Sequence, residues 1–149
     1  MAFKISTKGR YGLRALVDLA ANSAGRPVLL ADIATRQGVS KRYLERLFTR
    51  LRRGGLIRSV RGAAGGYLLA RDPHEISLAE VVELLEGPIR HADCDGRQPG
   101  CRRREKCVTY DLWRDLAETI RAKLAAVTLE DLRMKNEAIV EAEAGRWEI

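Results

Sequence analysis

Residues 40–57 read SKRYLERLFTRLRRGGLI. Leu44, Leu47, Phe48 and Leu51 recur at i, i+3, i+4 and i+7, a spacing that gathers apolar side chains on one face of an α-helix. Ser40 stands where an N-cap is needed, because its side-chain oxygen can accept from a free first-turn amide. Gly54-Gly55 is the matching stop. Opposite the apolar stripe lie Arg42, Arg46, Thr49 and Arg53, with Ser40, Tyr43 and Glu45 flanking the N-terminal end. One face of this helix is core. The other is either a solvated basic surface or a surface that meets a polyanion.

The neighbours of this helix favour the second reading. Upstream, Leu13, Leu16, Val17 and Ala20 predict an amphipathic helix over 7–22, with Tyr11, Ala15 and Leu19 beside the stripe, and Gly25-Arg26-Pro27 breaks it. Leu30, Ile33 and Ala34 then form a short apolar face, followed by the tight turn Gln37-Gly38-Val39-Ser40. Two helices joined by a short glycine-containing turn make a helix-turn-helix, whose second helix offers its N-terminal residues to base edges in a major groove. Arginine can pair bidentately with guanine, and glutamate can accept from cytosine N4.

Downstream, 57–61 and 67–70 predict two short strands around GAAGG, a hairpin placed as a wing with Arg61 at its tip. Arg61 can meet phosphate or enter a minor groove. GAAGG is not a nucleotide-phosphate loop, since no Lys-Ser/Thr follows it and no helical pattern opens there. Asp72-Pro73 closes the wing. Ser77 and Glu80 have capping-box spacing in front of Val81, Val82, Leu84 and Leu85, and Gly87-Pro88 ends that helix.

Charge is divided to match. Residues 1–76 carry 15 Lys+Arg against 5 Asp+Glu, a balance of +10; residues 77–149 carry 12 against 15, a balance of −3. The excess that gives the chain its +7 sits on the helix-turn-helix half, the half expected to meet nucleic acid. The N-terminal MAFKISTKGRYGLR lacks a signal-peptide apolar core, and no apolar run reaches membrane-span length. A cytoplasmic protein without membrane partner is expected. The 2 histidines, together with the absence of a Ser/His/Asp order, leave no hydrolytic constellation, so no enzyme is expected.

All 3 cysteines fall in one stretch, CDGRQPGCRRREKC at 94–107, spaced C-x6-C-x5-C. An odd number in a cytosolic chain argues against structural disulfides. Zinc prefers close pairs such as C-x2-C and four ligands. Redox-active thiols are a second reading, since neighbouring arginines favour thiolate. An iron–sulfur cluster is a third: three thiolates plus one weaker ligand suit a labile sensing cluster, and Arg102, Arg103, Arg104 and Lys106 offset its charge. Spacing alone leaves the thiol and cluster readings open. Beyond this stretch Leu112, Leu116, Ile120, Leu124 and Val127 keep helical spacing with Trp113 alongside, a stripe suited to pairing with a second subunit. Thr128 then caps a last helix carrying Leu129, Leu132, Ile139 and Val140.

ISTKGRYGLRAL, SKRYLERLFTRLRRGGLI, SVRGAAGGYLLARD and CVTYDLWRDL together resemble the iron–sulfur cluster regulators of the IscR type and their winged-helix repressor family, over about positions 3–140. The resemblance implies a mainly α fold: a winged helix-turn-helix with a small β-hairpin wing and a C-terminal dimerisation helix. It divides the chain into a DNA-binding domain at 1–88, a cluster-binding loop at 89–108 and the two final helices at 109–149. It implies a cytoplasmic homodimer on near-palindromic double-stranded promoter DNA, sensing cluster, redox or nitric oxide status. One branch of the family instead responds to cysteine metabolism without a cluster.

By that resemblance Cys94, Cys101 and Cys107 hold the cluster, 2Fe-2S in preference to 4Fe-4S. Glu45 and its neighbours read bases, and Arg61 is the wing contact. In regulators of the IscR type the first two cysteines are separated by five residues, whereas six stand here. Regulators of the IscR type place a histidine three residues after the last cysteine, where this chain has Tyr110, followed by Asp111. An oxygen ligand or an open position is therefore expected in place of histidine, Asp111 slightly ahead of Tyr110, with His91, Asp93, Asp95 and Glu105 in the same segment and a partner-subunit residue or water as further donors. An iron–sulfur carrier or electron-transfer module is a rival of another class, and it needs neither a basic recognition helix nor a wing.

Overall fold

Ser6 opens the first helix by accepting from the Lys8 amide, a cap not read from the sequence, and a left-handed Gly38 ends the second where the tight turn was expected. The computed structural model describes residues 4–90, 101 and 103–146. Along it run α1 (Thr7–Asn22), α2 (Leu30–Gln37), α3 (Lys41–Arg53), β1 (Ile57–Val60), β2 (Gly66–Leu69), α4 (Leu78–Glu86), α5 (Tyr110–Ala125) and α6 (Leu129–Gly145). Short 3-10 turns occupy Pro73–Glu75 and Arg104–Lys106. No described helix is long and apolar enough to cross a membrane.

The core is the meeting of α1, α2, α3 and α4 with the base of the wing. Leu16, Leu19, Ile33, Leu44, Phe48, Leu51, Leu56, Ile76 and Val81 are fully buried in it. Each such side chain stabilises the fold by about 1.5–3 kcal/mol relative to exposure. On α1 the buried centre is Ala15, Leu16 and Leu19, and the expected Leu13, Val17 and Ala20 are only partly covered. Gly9 and Gly12 share a face with Leu16 and Leu19 and let α4 press closely on it, which draws the buried stripe to that side. A methyl group at Gly12 would collide with Leu85.

The strands end one residue earlier than expected and pair antiparallel from Ile57↔Leu69 to Val60↔Gly66. Arg61 lies in the connection rather than in β1. The chain before α2 adds an unexpected rung: Val28 and Tyr67 exchange backbone hydrogen bonds of 2.9 and 2.8 Å. Gly66, at φ +148°, is required there, since any side chain would meet the Val28 backbone. The wing is thus sewn to the helix-turn-helix on both sides.

Ser77 caps α4 by accepting from the Glu80 amide, but the reciprocal half of the expected capping box is missing. The Glu80 carboxylate is taken by Arg71, whose charge-assisted bond outcompetes a neutral amide. The complete capping box stands at Thr128 and Asp131, opening α6. Just before it, Leu78 N–H donates to Val127 O at 2.9 Å and Leu129 N–H to Ile76 O at 2.8 Å. Leu129 and Ile76 are both fully buried, so the α5–α6 corner is anchored in the winged-helix core, and α6 lies along α1.

Candidate nucleic-acid interface and cysteine segment

The two faces of α3 separate cleanly. Leu44, Leu47, Phe48 and Leu51 are buried, while Lys41, Arg42, Glu45, Arg46, Arg52 and Arg53 are exposed. Ser40 caps the helix through the Tyr43 amide at 3.2 Å and remains exposed at its tip. Arg42, Glu45 and Arg46 therefore stand free on the first two turns, where a recognition helix meets base edges. Two expected readers are partly committed elsewhere. Tyr43 is half-buried, with its ring edge-on to Tyr11 at 6.3 Å. Thr49 is half-buried and its hydroxyl donates to Glu45 O at 2.8 Å. Arg61 is exposed beside Gly62, which takes φ +109°, and Gly65, where a side chain would strike the Val60 carbonyl. Glycines make the turn, and Arg61 is the charged group it presents.

What fixes the pose of α3 escaped the sequence reading. Asp18 sits inside the apolar run of α1, almost fully buried. It accepts from Arg36 Nε and Nη2, from Gln37 Nε2 at 2.8 Å and from the Asn22 amide. Arg14 grips the same turn, donating to Gln37 Oε1 and Gln37 O, each at 3.1 Å. A buried carboxylate is tolerable only with such partners. Here they tie α1 to the residue that begins the helix-turn-helix turn. The visible signal was an aspartate within an apolar helical stripe.

Past α4, Cys94 lies outside the described residues, as do His91, Asp93 and Asp95. Cys101 is exposed and Cys107 half-buried, both as free thiols. They flank the 3-10 turn Arg104–Lys106: Cys101 O accepts from Arg104 N–H at 3.3 Å, and Cys107 O accepts from Tyr110 N–H at 3.2 Å. The Cys107 thiol lies 3.3 Å from the Thr109 hydroxyl. That hydrogen bond, then the Thr109 and Tyr110 amides and the Arg103 charge, hold its pKa below the ordinary thiol value. Two accessible thiols, one biased toward thiolate, beside cationic side chains are a donor set that fits iron–sulfur ligation. Among the described residues no three His, Cys, Asp or Glu side chains gather as a metal cage, so these two thiols are the described part of any such site.

The two expected oxygen donors differ in setting. Tyr110 is buried, with the Arg104 guanidinium 4.8 Å from its ring centroid and that of Arg114 at 6.0 Å. Asp111 is exposed on the first turn of α5, paired with Arg114 at 3.0 Å. Glu105 is exposed on the 3-10 turn.

Farther along α5 the apolar stripe is largely uncovered. Leu112 is 58% exposed, Leu116 39% and Trp113 37%. Ile120 and Leu124 are half-buried, and Ala117 faces inward. Val127, expected as the end of this stripe, falls beyond the helix, where its carbonyl holds Leu78.

Comparison with known proteins matches residues 5–135 to the family model Rrf2, described as an iron-dependent transcriptional regulator. The HTH-type transcriptional regulator IscR of Xenorhabdus nematophila is 45% identical over 138 residues, covering 93% of this chain and 83% of that protein. The solved structure of T. potens IscR superposes with a TM-score of 0.75 at 39% identity, over 93% of this chain and 92% of that one. CymR, the global cysteine regulator of B. subtilis, superposes with a TM-score of 0.73 at 36% identity, over 90% and 98%.

Proposed function

The chain belongs to the Rrf2 family of winged-helix transcription regulators, and on that premise we propose a homodimer that binds two-fold promoter DNA under the control of a cluster held by Cys94, Cys101 and Cys107. Its relatives are regulators of transcription, not enzymes. In this reading Arg42, Glu45 and Arg46 meet base edges, with Ser40, Tyr43 and Thr49 at their flank. Arg61 meets the backbone or the minor groove. The apolar face of α5 at Leu112, Leu116, Ile120 and Leu124 packs against its copy, with Val127 at its foot, so that two recognition helices face one two-fold site.

The observation that carries the cluster reading is the pair of free thiols around one 3-10 turn at the foot of α5, with Cys107 drawn toward thiolate. Thiolate is the state that iron binds. When bound, a cluster supplies a redox-sensitive, losable centre; a 2Fe-2S cluster is the one this reading takes. The chain's own part is to present the thiols and to screen their charge with Arg103 and Arg104. Asp111, or else Tyr110, completes the set with oxygen. A cytoplasmic location follows from a promoter-binding role.

The second reading is a thiol sensor that holds no iron. Its support is the same Cys107–Thr109 contact, which also activates a thiol toward oxidation, together with the likeness to CymR.

Anaerobic reconstitution with iron and sulfide, followed by metal analysis and an absorption spectrum, separates the two. The cluster reading expects iron and sulfide in the wild type and their loss in Cys94→Ala, Cys101→Ala and Cys107→Ala. Asp111→Ala or Tyr110→Phe should alter the spectrum or lifetime of the bound group. Wild-type protein that takes up no iron leaves the thiol sensor.

A further inference from the structure

The last turn of α4 makes a close crossing with α1 and α3, and three consecutive residues form it. Leu84 lies so close to Gly54, the C-cap of α3, that a methyl group there would overlap it. Leu85 occupies the space that a side chain at Gly12 of α1 would need. The Glu86 carboxylate likewise fills the place of a side chain at Gly9.

Hydrogen bonds fasten the same three neighbours. Arg50 of α3 donates to Leu85 O at 3.3 Å. Glu86 accepts from the Ser6 amide at 3.0 Å, from the Ser6 hydroxyl and from the Gly9 amide at 2.9 Å, closing the N-terminus of α1. Immediately after Glu86 the chain turns at Gly87, φ +94°, and leads to Cys101 and Cys107. On the far side, Arg121 of α5 pairs with Glu83 at 3.0 Å. The turn is thus gripped by the recognition helix, by α1 and by the helix that follows the cysteines.

We infer that Arg50 and Glu86 are positioning residues, and that the last turn of α4 is the joint through which the state of Cys101 and Cys107 sets the pose of the recognition helix. The inference rests on the regulator reading above and adds how the thiols and α3 are coupled. Densely packed interiors transmit strain, and here hydrogen bonds from Arg50, Ser6 and Gly9 fix the turn's carbonyl and carboxylate in place. Arg50 is exposed, one turn after Arg46 on α3, and it spends its guanidinium on a main-chain carbonyl of α4. It therefore ties the flank of α3 to the end of α4.

The test uses the full chain, reconstituted anaerobically with iron and sulfide and then stripped with a chelator, titrated with operator DNA in both states. Wild type, Arg50→Met and Glu86→Gln are compared, with iron content and melting temperature measured for each. The expected wild-type affinity ratio between the two states is at least about fivefold, the lower end of ordinary coupling. Both variants should bring it toward one while keeping their iron. An arginine that merely touched phosphate would weaken both states equally and flatten the salt slope, leaving the ratio intact. That result, or an iron-loaded wild type with a ratio of one, overturns the inference.

If wild-type protein takes up no iron, the cluster reading has failed by itself. The joint is then read by alkylating Cys101 and Cys107 with iodoacetamide and following amide exchange over 44–56. Altered exchange in wild type but not in Arg50→Met supports the joint, and unaltered exchange in wild type overturns it.

Discussion

α3 and α5 are both amphipathic helices, yet they end in opposite conditions. The apolar stripe of α3 is covered by its own chain, with Leu44, Phe48 and Leu51 fully buried, and its charged face is left free. On α5 the apolar side chains Leu112 and Leu116 remain open. Its one well-covered flank, around Ala117, is turned to the domain. Periodicity therefore tells that a helix has a face to bury, not what buries it. α3 spends its apolar face on the fold and offers arginines to a polyanion. α5 is held to the domain through Tyr110, Ala117, the Arg121–Glu83 pair and the Val127–Leu78 bond, and its exposed apolar face is the contact proposed for a second copy.

Substitution on each helix should therefore break a different thing. Leu116→Glu puts a charge into the proposed contact from both copies, at a cost of several kcal/mol for each buried unpaired ion. Sedimentation should show monomers whose circular dichroism is still that of the wild type. A dimer unchanged by Leu116→Glu would mean that the face is merely solvated. Phe48→Ala on α3 should do the reverse, lowering the stability of the fold by about 3–5 kcal/mol in denaturant titration. If both variants unfold the protein equally, the contrast between the helices is lost.

The legible part of the molecule was the part written locally. The α3 stripe, the Ser40 cap, the Gly38 turn and the Thr128 cap are each decided within four residues, and the structure has them where the spacing put them. What escaped was decided by partners distant in sequence. Asp18 reads as a flaw in a stripe until Arg36 and Gln37 arrive from another helix. Gly9 and Gly12 look like weak points in a helix until α4 presses against them. The Val28 rung depends on Tyr67, and the lost half of the α4 capping box depends on Arg71. For the cysteine segment, local reading reached the donor types but not the donor set. Ligand geometry needs residues brought together by folding, and Cys94 lies outside the described residues.

The exposed face of α3 admits a finer division. Arg46, on the second turn, should serve discrimination, and Arg46→Ala should reduce the preference for operator over random DNA by about 1–3 kcal/mol, the size of a bidentate base contact. Arg61→Ala should weaken both DNAs alike and lower the salt slope by about one unit, the mark of a lost phosphate contact. Fluorescence anisotropy at several salt concentrations reads both quantities. An Arg46→Ala variant that behaves like Arg61→Ala would reduce the recognition helix to a general basic surface.

The smallest expected effect lies on the seam between the two halves. His74, in the turn before α4, has its ring Nδ1 2.9 Å from Asp72, with Glu130 and Asp131 at the start of α6 adding negative charge nearby. The Asp72 hydrogen bond, then the charges, raise the His74 pKa above its ordinary value of about 6.5. A proton bound more tightly in the folded protein stabilises it. The gain is fully present below about pH 6.5, the unfolded value, and is lost as pH rises through the folded pKa. The side chain is 70% exposed, so solvent screening keeps the effect small. Melting curves on either side of neutrality should show a slightly larger loss of stability with rising pH in wild type than in His74→Gln. Because Glu130 and Asp131 belong to α6, Glu130→Gln should reduce the same difference if α6 is seated against this turn in solution. An unchanged pH response in both variants would mean that the charge on His74 adds nothing to the seam, which then rests on the Leu129–Ile76 and Leu78–Val127 contacts alone.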